Sequence, residues 1–211
     1  DIETSFVEGQ RVTNREDMEV VEMVLSGAVN KEITSMLNHF GAKSIGISGK
    51  DANFMYARPK ERARFGYTGT ITEIKAKILL DLVEEKFIPV IAPIAASEKL
   101  GEPGYNINAD LAASRIAGEI GAKKVLFLTD TPGVLDREKK LLRTLTENQV
   151  EALKTDGTIQ GGMIPKVDAC LEAIDTGVEK AHIIDGRIEH AILLELFTSE
   201  GIGTVIKKEQ K

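Results

Sequence analysis

The sequence predicts an α/β fold built on a parallel-rich sheet with helices on both faces, and three observations carry that expectation. Strand-like and helix-like segments alternate from residue 16 almost to the end of the chain. Two of the strand-like runs, Pro89–Ile94 and Lys124–Thr129, are almost continuously apolar, as strands covered on both faces are. The helix-like segments carry apolar residues on one stripe, as helices packed on one side of a sheet do.

Taken in order, Glu16 to Phe40 is rich in helix formers. Val20, Val21, Val24, Leu25, Ile33 and Leu37 recur at helical spacing, with Gly27 as a weak point. Ser44–Ser48 reads as a short strand. Asn53–Arg58 and Tyr67–Thr72 read as a hairpin whose tip, Pro59-Lys60-Glu61-Arg62, is charged. Glu73–Glu84 is an amphipathic helix, and Pro89–Ile94 is a buried strand. Ala109–Ile120 is an alanine-rich helix followed by the strand Lys124–Thr129. Thr144–Leu153 and Gly162–Thr176 read as helices, with a turn at Asp156-Gly157. Strand Ala181–Ile184, helix Glu189–Phe197 and strand Gly203–Ile206 complete the order. The 211 residues suffice for one large domain or two small ones, and no repeat, low-complexity stretch or strong boundary divides them.

Composition excludes several classes. The net charge of −6 leaves no basic footprint for nucleic acid. The apolar run Ile88–Ile94 is far too short to cross a membrane. Cys170 is the sole cysteine, so there is no disulfide framework and no cysteine metal cluster, which fits a reducing cytoplasm. His39, His182 and His190 lack metal-ligand spacing, so no protein-held metal is expected. No signal peptide is seen, and the first residue is Asp1, so a segment upstream has been removed, processed or left out.

The most informative words are Tyr105-Asn106-Ile107-Asn108-Ala109-Asp110 and Gly161-Gly162-Met163-Ile164-Pro165-Lys166. Each sets polar groups at the start of a helix. There unpaired N–H groups and the positive end of the dipole favour anions. The pair reads as a phosphate grip, with Asp110 available to hold the lysine or a metal. Asn106, Asn108 and Asp110 could instead simply cap a helix. Ser48-Gly49-Lys50-Asp51 invites comparison with a Walker loop but fails it, because that loop needs a glycine at 44 and Ser or Thr after the lysine. Asp130-Thr131-Pro132-Gly133-Val134-Leu135 leaves a buried strand at its carboxyl end, where open α/β sheets bind ligands. Arg11 offers the planar fork that pairs with a carboxylate. The plain alternatives are a Pro-Gly turn and a surface ion pair.

Together with Gly9–Thr13, Val29–Glu32 and Ile47–Asp51, these words are collinear over nearly the whole chain and closely resemble the amino acid kinase family. Within it they resemble the members that phosphorylate the side-chain carboxylate of N-acetyl-L-glutamate in arginine biosynthesis. The resemblance implies a three-layer α/β/α sandwich with a mainly parallel central sheet. It implies MgATP as phosphoryl donor, hence ATP and Mg2+. Residues 1–105 would be the remainder of the acceptor-binding half and residues 106–211 the nucleotide-binding half of one domain. Arg11 and Asn106 would clamp acetylglutamate. Lys166 would neutralise charge on the transferring phosphoryl group, and Asp110 would organise the catalytic lysines. Asp130 to Leu135, with Gly161, Gly162 and Met163, would form the nucleotide pocket. A carboxylate is already a nucleophile at neutral pH, so alignment and charge stabilisation suffice and no catalytic histidine or cysteine is needed.

Family members also begin with a strand carrying a lysine and a Gly-Gly turn, then a second glycine-rich turn, and this sequence contains neither. The domain is therefore expected to be N-terminally incomplete, with negligible turnover by the 211 residues alone. At the other end, His182, Glu195 and Gly201 resemble the L-arginine feedback site of hexameric members, which implies arginine inhibition and a homo-oligomer, dimer or hexamer. The alternatives are a relative acting on glutamate, aspartate, carbamate or a nucleoside monophosphate, and a non-catalytic arginine-sensing subunit.

Overall fold

The computed structural model describes residues 6–7 and 10–209; residues 6, 7, 10 and 11 are described in their backbone only. The chain divides within one helix into two compact units, Asp1–Ala112 and Ala113–Lys211.

In the first unit, β1 (Phe6–Val7) and β2 (Gln10–Arg11) form a small antiparallel pair. A long helical run follows: α1 (Arg15–Glu22), a π-helical stretch Met23–Val29 and α2 (Asn30–His39). Its start is fixed by a capping box. Asn14 Oδ1 accepts from the Asp17 N–H at 2.8 Å, and the Asp17 carboxylate accepts from the Asn14 N–H at 3.2 Å. The expected weak point, Gly27, falls inside the π stretch. Next come β3 (Ser44–Ser48), β4 (Met55–Pro59), α3 (Arg62–Phe65), β5 (Gly69–Ile74), α4 (Lys77–Glu84), β6 (Ile88–Ala92), β7 (Ile94–Ser97) and β8 (Tyr105–Asn106). β3 pairs with β6 in parallel. A second sheet has the order β5-β4-β7-β8 and contains the expected hairpin as β4–β5, with α3 at its tip.

Two readings need correction here. The apolar run ending at Ile94 is two strands rather than one. Pro93 has no N–H to give a ladder, and the chain changes partner there, from β3 to β4 and β8. The helix expected from Glu73 starts at Lys77, because Glu73 and Ile74 stay in register with Tyr56 and Met55. Met18, Phe54, Met55, Phe65 and Ile94 are fully excluded from water in this unit's core.

The second unit holds a four-stranded mixed sheet ordered β10 (Thr144–Thr146), β12 (Thr204–Lys207), β11 (Lys180–Asp185), β9 (Lys124–Thr129). The β9–β11 and β10–β12 pairs are parallel, and β11–β12 is antiparallel. α5 (Ala109–Glu119) leads into this unit. α6 (Glu147–Thr155), α7 (Met163–Asp175) and α8 (Ala191–Phe197) belong to it. Thr144–Thr146 is strand rather than the start of a helix. Thr146 is extended and caps α6 through a box with Gln149, so the helix cannot begin before Glu147. Ile174, Ile183, Ile184 and Ile206 form the buried centre, and Cys170 is packed within it.

The class is thus the α/β one expected. Asn30 shows how closely helix and sheet approach. Its Nδ2 donates to the carbonyls of Ile47 on β3 (3.3 Å) and Val90 on β6 (2.8 Å). Opposite it stands Gly46, where a Cβ would overlap the Asn30 Oδ1.

Candidate active site

The first unit gathers polar groups around Asn106. Its Nδ2 donates to Thr13 Oγ1 at 3.3 Å, and its N–H donates to the Tyr67 carbonyl at 2.9 Å. Thr13 Oγ1 lies 3.2 Å from Thr68 Oγ1, and both threonines are buried. Beside this polar knot lies a cavity of about 320 Å³ lined by Val20, Val21, Val24, Leu25 and Asn106. An apolar wall facing a few fixed polar groups suits a small ligand with one apolar and several polar ends. The backbone of Arg11 lies two residues before Thr13 in sequence, whereas its side chain lies outside the described residues.

Strand β8 is held in place from the hairpin tip. Arg62 NH1 reaches both Glu102 oxygens at 3.2 Å, and the Tyr105 hydroxyl donates to the same carboxylate at 2.7 Å. Asn108 caps α5, accepting from the Leu111 N–H at 3.1 Å, and half-buried Asp110 sits in that first turn. Asp51 does not serve a phosphate loop. Its carboxylate accepts from Ser48 N–H (2.6 Å) and Oγ (3.0 Å), while Lys50 pairs with Glu22 at 2.6 Å.

In the second unit the loop from Asp130 to Leu135 leaves the carboxyl end of β9. The Val134 N–H donates to Thr204 Oγ1 at 2.9 Å, and the Leu142 N–H donates to the Val134 carbonyl at 2.9 Å. Gly133 adopts φ 140°, and a Cβ there would come within 2.6 Å of Thr204 Oγ1 and 2.8 Å of Leu141. Only glycine fits such a close approach. The hydroxyl of Thr131 is buried with no hydrogen-bond partner among the described residues. Gly161 (φ 57°) and Gly162 precede α7, both exposed and with open space where a Cβ would stand. Met163 opens the helix and half-buried Lys166 lies one turn in.

Next to the start of the loop, β11 ends in Asp185-Gly186-Arg187. Arg187 grips Asp185 with Nε at 2.9 Å and NH2 at 2.8 Å, and its N–H donates to the same carboxylate at 3.0 Å. These bonds from Arg187 hold the Asp185 carboxyl down at about 2. This tripeptide receives no role from the sequence alone. The signal was an Asp-Gly-Arg leaving the end of a parallel strand.

His182 and Glu195 form a buried pair. His182 Nδ1 is 2.7 Å from Glu195 Oε1, and the other glutamate oxygen accepts from the N–H groups of Ile202 (2.7 Å) and Gly203 (3.0 Å). Burial opposes ionisation of Glu195. The bonds from His182 and the two N–H groups outweigh it and hold the carboxyl below the usual range. Gly201, at φ 63°, lies so close that a Cβ would meet Glu195 Oε2 at 2.7 Å. The three C-terminal residues are therefore one local structure.

One unit presents a polar knot beside an apolar cavity, and the other presents a glycine turn, a lysine and a strand-end loop. The chain belongs to the amino acid kinase family, whose model matches residues 1–185. It is 68% identical over 205 residues to the acetylglutamate kinase of a Nitratiruptor species, covering 97% of this chain and 72% of that protein. Among solved structures it resembles smu.665 from Streptococcus mutans UA159, with a TM-score of 0.83 and 27% identity over 99% of this chain and 78% of that one. In fold it also resembles N-acetylglutamate synthase from Neisseria gonorrhoeae, with a TM-score of 0.88 and 24% identity over 99% of this chain and 48% of that one.

Proposed function

We propose that the chain is a kinase that transfers the γ-phosphoryl group of ATP to the side-chain carboxylate of N-acetyl-L-glutamate. The carrying observation is the 68% identity, over nearly its whole length, to a protein named acetylglutamate kinase. A carboxylate oxygen attacks the γ-phosphorus, the bond to the β-bridging oxygen breaks, and ADP departs with that electron pair. No proton has to move. The protein's task is alignment and charge stabilisation.

In this reading the first unit binds the acceptor. Asn106 and Arg11 hold it, and the apolar wall of Val20, Val21, Val24 and Leu25 takes its acetyl methyl. The second unit binds the nucleotide through Asp130 to Leu135 and Gly161 to Met163. Lys166 meets the charge that develops on the phosphoryl oxygens, and Asp110 is the second catalytic residue on the strength of the sequence resemblance. Among the described residues no three His, Cys, Asp or Glu are grouped to hold a metal ion. Mg2+ is taken to enter with the nucleotide as MgATP, as the family resemblance implies. L-Arginine is the feedback inhibitor at His182, Glu195 and Gly201, on the strength of the sequence resemblance there. A homo-oligomer, dimer or hexamer, is the expectation from the sequence resemblance, and Met23, Ile33, Met36 and Phe40 are exposed apolar residues in or just after the helical run. No helix of the described residues is long and apolar enough to cross a membrane, and a cytoplasmic enzyme fits the single buried thiol.

The test traps the product. In an enzyme of the relatives' full length carrying these residues, with MgATP and hydroxylamine, N-acetyl-L-glutamate yields a hydroxamate, and glutamate, aspartate, carbamate and UMP release no ADP above background. Faster turnover of any of those acceptors would reject the assignment.

A further inference from the structure

Asp185 and Arg187 do no work in the reaction as described, yet they are built with care. Asp185 is the last residue of β11 and stands in register with Thr129, the last of β9. The turn after it is tied to that neighbour, since the Gly186 N–H donates to the Thr129 carbonyl at 2.8 Å. The loop Asp130–Leu135 leaves from this same point. Arg187 therefore projects at the carboxyl ends of a parallel strand pair, where ligands of open α/β sheets sit.

The two ends of this ion pair are unequal. The Asp185 side chain is 9% exposed and that of Arg187 is 66% exposed. A partner this buried orients the guanidinium, whereas an ordinary surface pair leaves both ends loose. The grip uses one N–H from each of two nitrogens, and a guanidinium carries five, so further donors remain for a second acceptor. From Asp130 to Leu135 the loop itself contains no cation, and Asp130 adds a negative charge there. Asp130 also acts on Arg187, reinforcing the larger effect of Asp185 in raising its pKa. A polyphosphate entering beside this loop needs a fixed positive charge, and Arg187 supplies one.

We infer that Arg187 is a nucleotide-binding residue whose guanidinium, braced by Asp185, receives the phosphates of ATP. Asp185 is then a positioning residue acting through Arg187. This rests on the loop from Asp130 being the nucleotide side of the kinase. A purely structural pair would stiffen the turn without favouring phosphates.

The experiment is calorimetry with ADP and with adenosine, alongside steady-state kinetics, on an enzyme of the relatives' full length carrying these residues, as wild type, Arg187→Gln, Arg187→Lys and Asp185→Asn. Arg187→Gln should weaken ADP by about tenfold or more, the scale of a lost charge-assisted contact, and leave adenosine within about twofold. The KM for ATP should rise in step, while that for N-acetyl-L-glutamate holds. Arg187→Lys should recover part of the loss, because charge remains and the fork does not. Asp185→Asn should show a weaker form of the same split. Equal ADP affinity in Arg187→Gln and wild type overturns the inference. So does an equal loss for adenosine and ADP, or a wild type that binds no ADP. A wild type that binds ADP with this pattern but leaves acetylglutamate untouched would refute the acceptor and uphold Arg187.

Discussion

Replacing Glu195 tests whether the C-terminal loop is held by one buried carboxylate. That side chain is 2% exposed and takes three contacts, from His182 Nδ1 and from the N–H groups of Ile202 and Gly203. Glu195→Ala leaves all three partners facing a void. Removing a buried carboxylate and orphaning the three groups bonded to it costs roughly 3–5 kcal/mol, each orphaned buried donor alone costing about 1–3 kcal/mol. For a chain of this size roughly 2–4 °C of melting temperature accompany each kcal/mol. The expected fall is therefore about 6–20 °C. Glu195→Gln keeps an acceptor for the two N–H groups and should lose less than half as much. Thermal unfolding by far-UV circular dichroism reads both. A fall below about 2 °C for Glu195→Ala would refute the reasoning. For the proposed inhibition by L-arginine, relief should be sought in Glu195→Gln, because Glu195→Ala is interpretable only at temperatures where that variant is folded.

In the intact-length enzyme Lys166→Ala should lower turnover by about 10²–10³-fold, as loss of a charge-stabilising group does, and leave the KM for N-acetyl-L-glutamate nearly unchanged; initial rates within about threefold of wild type would remove its assigned role. Arg11→Lys should weaken acetylglutamate more than ATP, and calorimetry giving equal losses for both would count against the clamp. Gly133→Ala should destabilise by roughly 1–3 kcal/mol, since φ 140° is closed to alanine and its methyl meets Thr204; an unchanged urea midpoint would contradict that. Asp185 is depressed when folded, so its contribution is complete above the ordinary carboxylate value of about 4. It is lost as pH falls toward its folded value of about 2. Unfolding midpoints measured from pH 5 to 2 should fall less steeply in Asp185→Asn than in wild type.

Local patterning carried most of the fold. The strand Lys124–Thr129 is bounded as its apolar content suggests, and α7 ends within a residue of the expected range because Gly162 and Thr176 bracket an unbroken stripe. What failed was decided between segments. Nothing in Ile88–Ile94 says that Pro93 marks a change of partner strand, and Thr144 looks like a helix start until Val205 is found beside it. The site divides in the same way. Asn106 and the glycine turn were visible as words, because a helix start has a chemical signature. Thr68 and the Val20–Leu25 wall were not, and Thr13 stood only as the end of the Gly9–Thr13 word, since their roles exist only once distant segments close on one another.

The π-helical stretch Met23–Val29 bears on evolution as much as on structure. Its wider winding joins two helical segments with different obligations. Upstream, Val20 and Val21 must face the cavity; downstream, Asn30 must face the sheet and clasp Ile47 and Val90. An uninterrupted α-helix advances about 100° per residue, so a single residue too many or too few swings one end away from its target by that angle. The stretch works as a phase shifter, reconciling two azimuths that one regular spiral could not satisfy together. A one-residue deletion between 23 and 29 would therefore be harsher than most substitutions there, because it would leave every side chain in place along the thread and misdirect half of them in space.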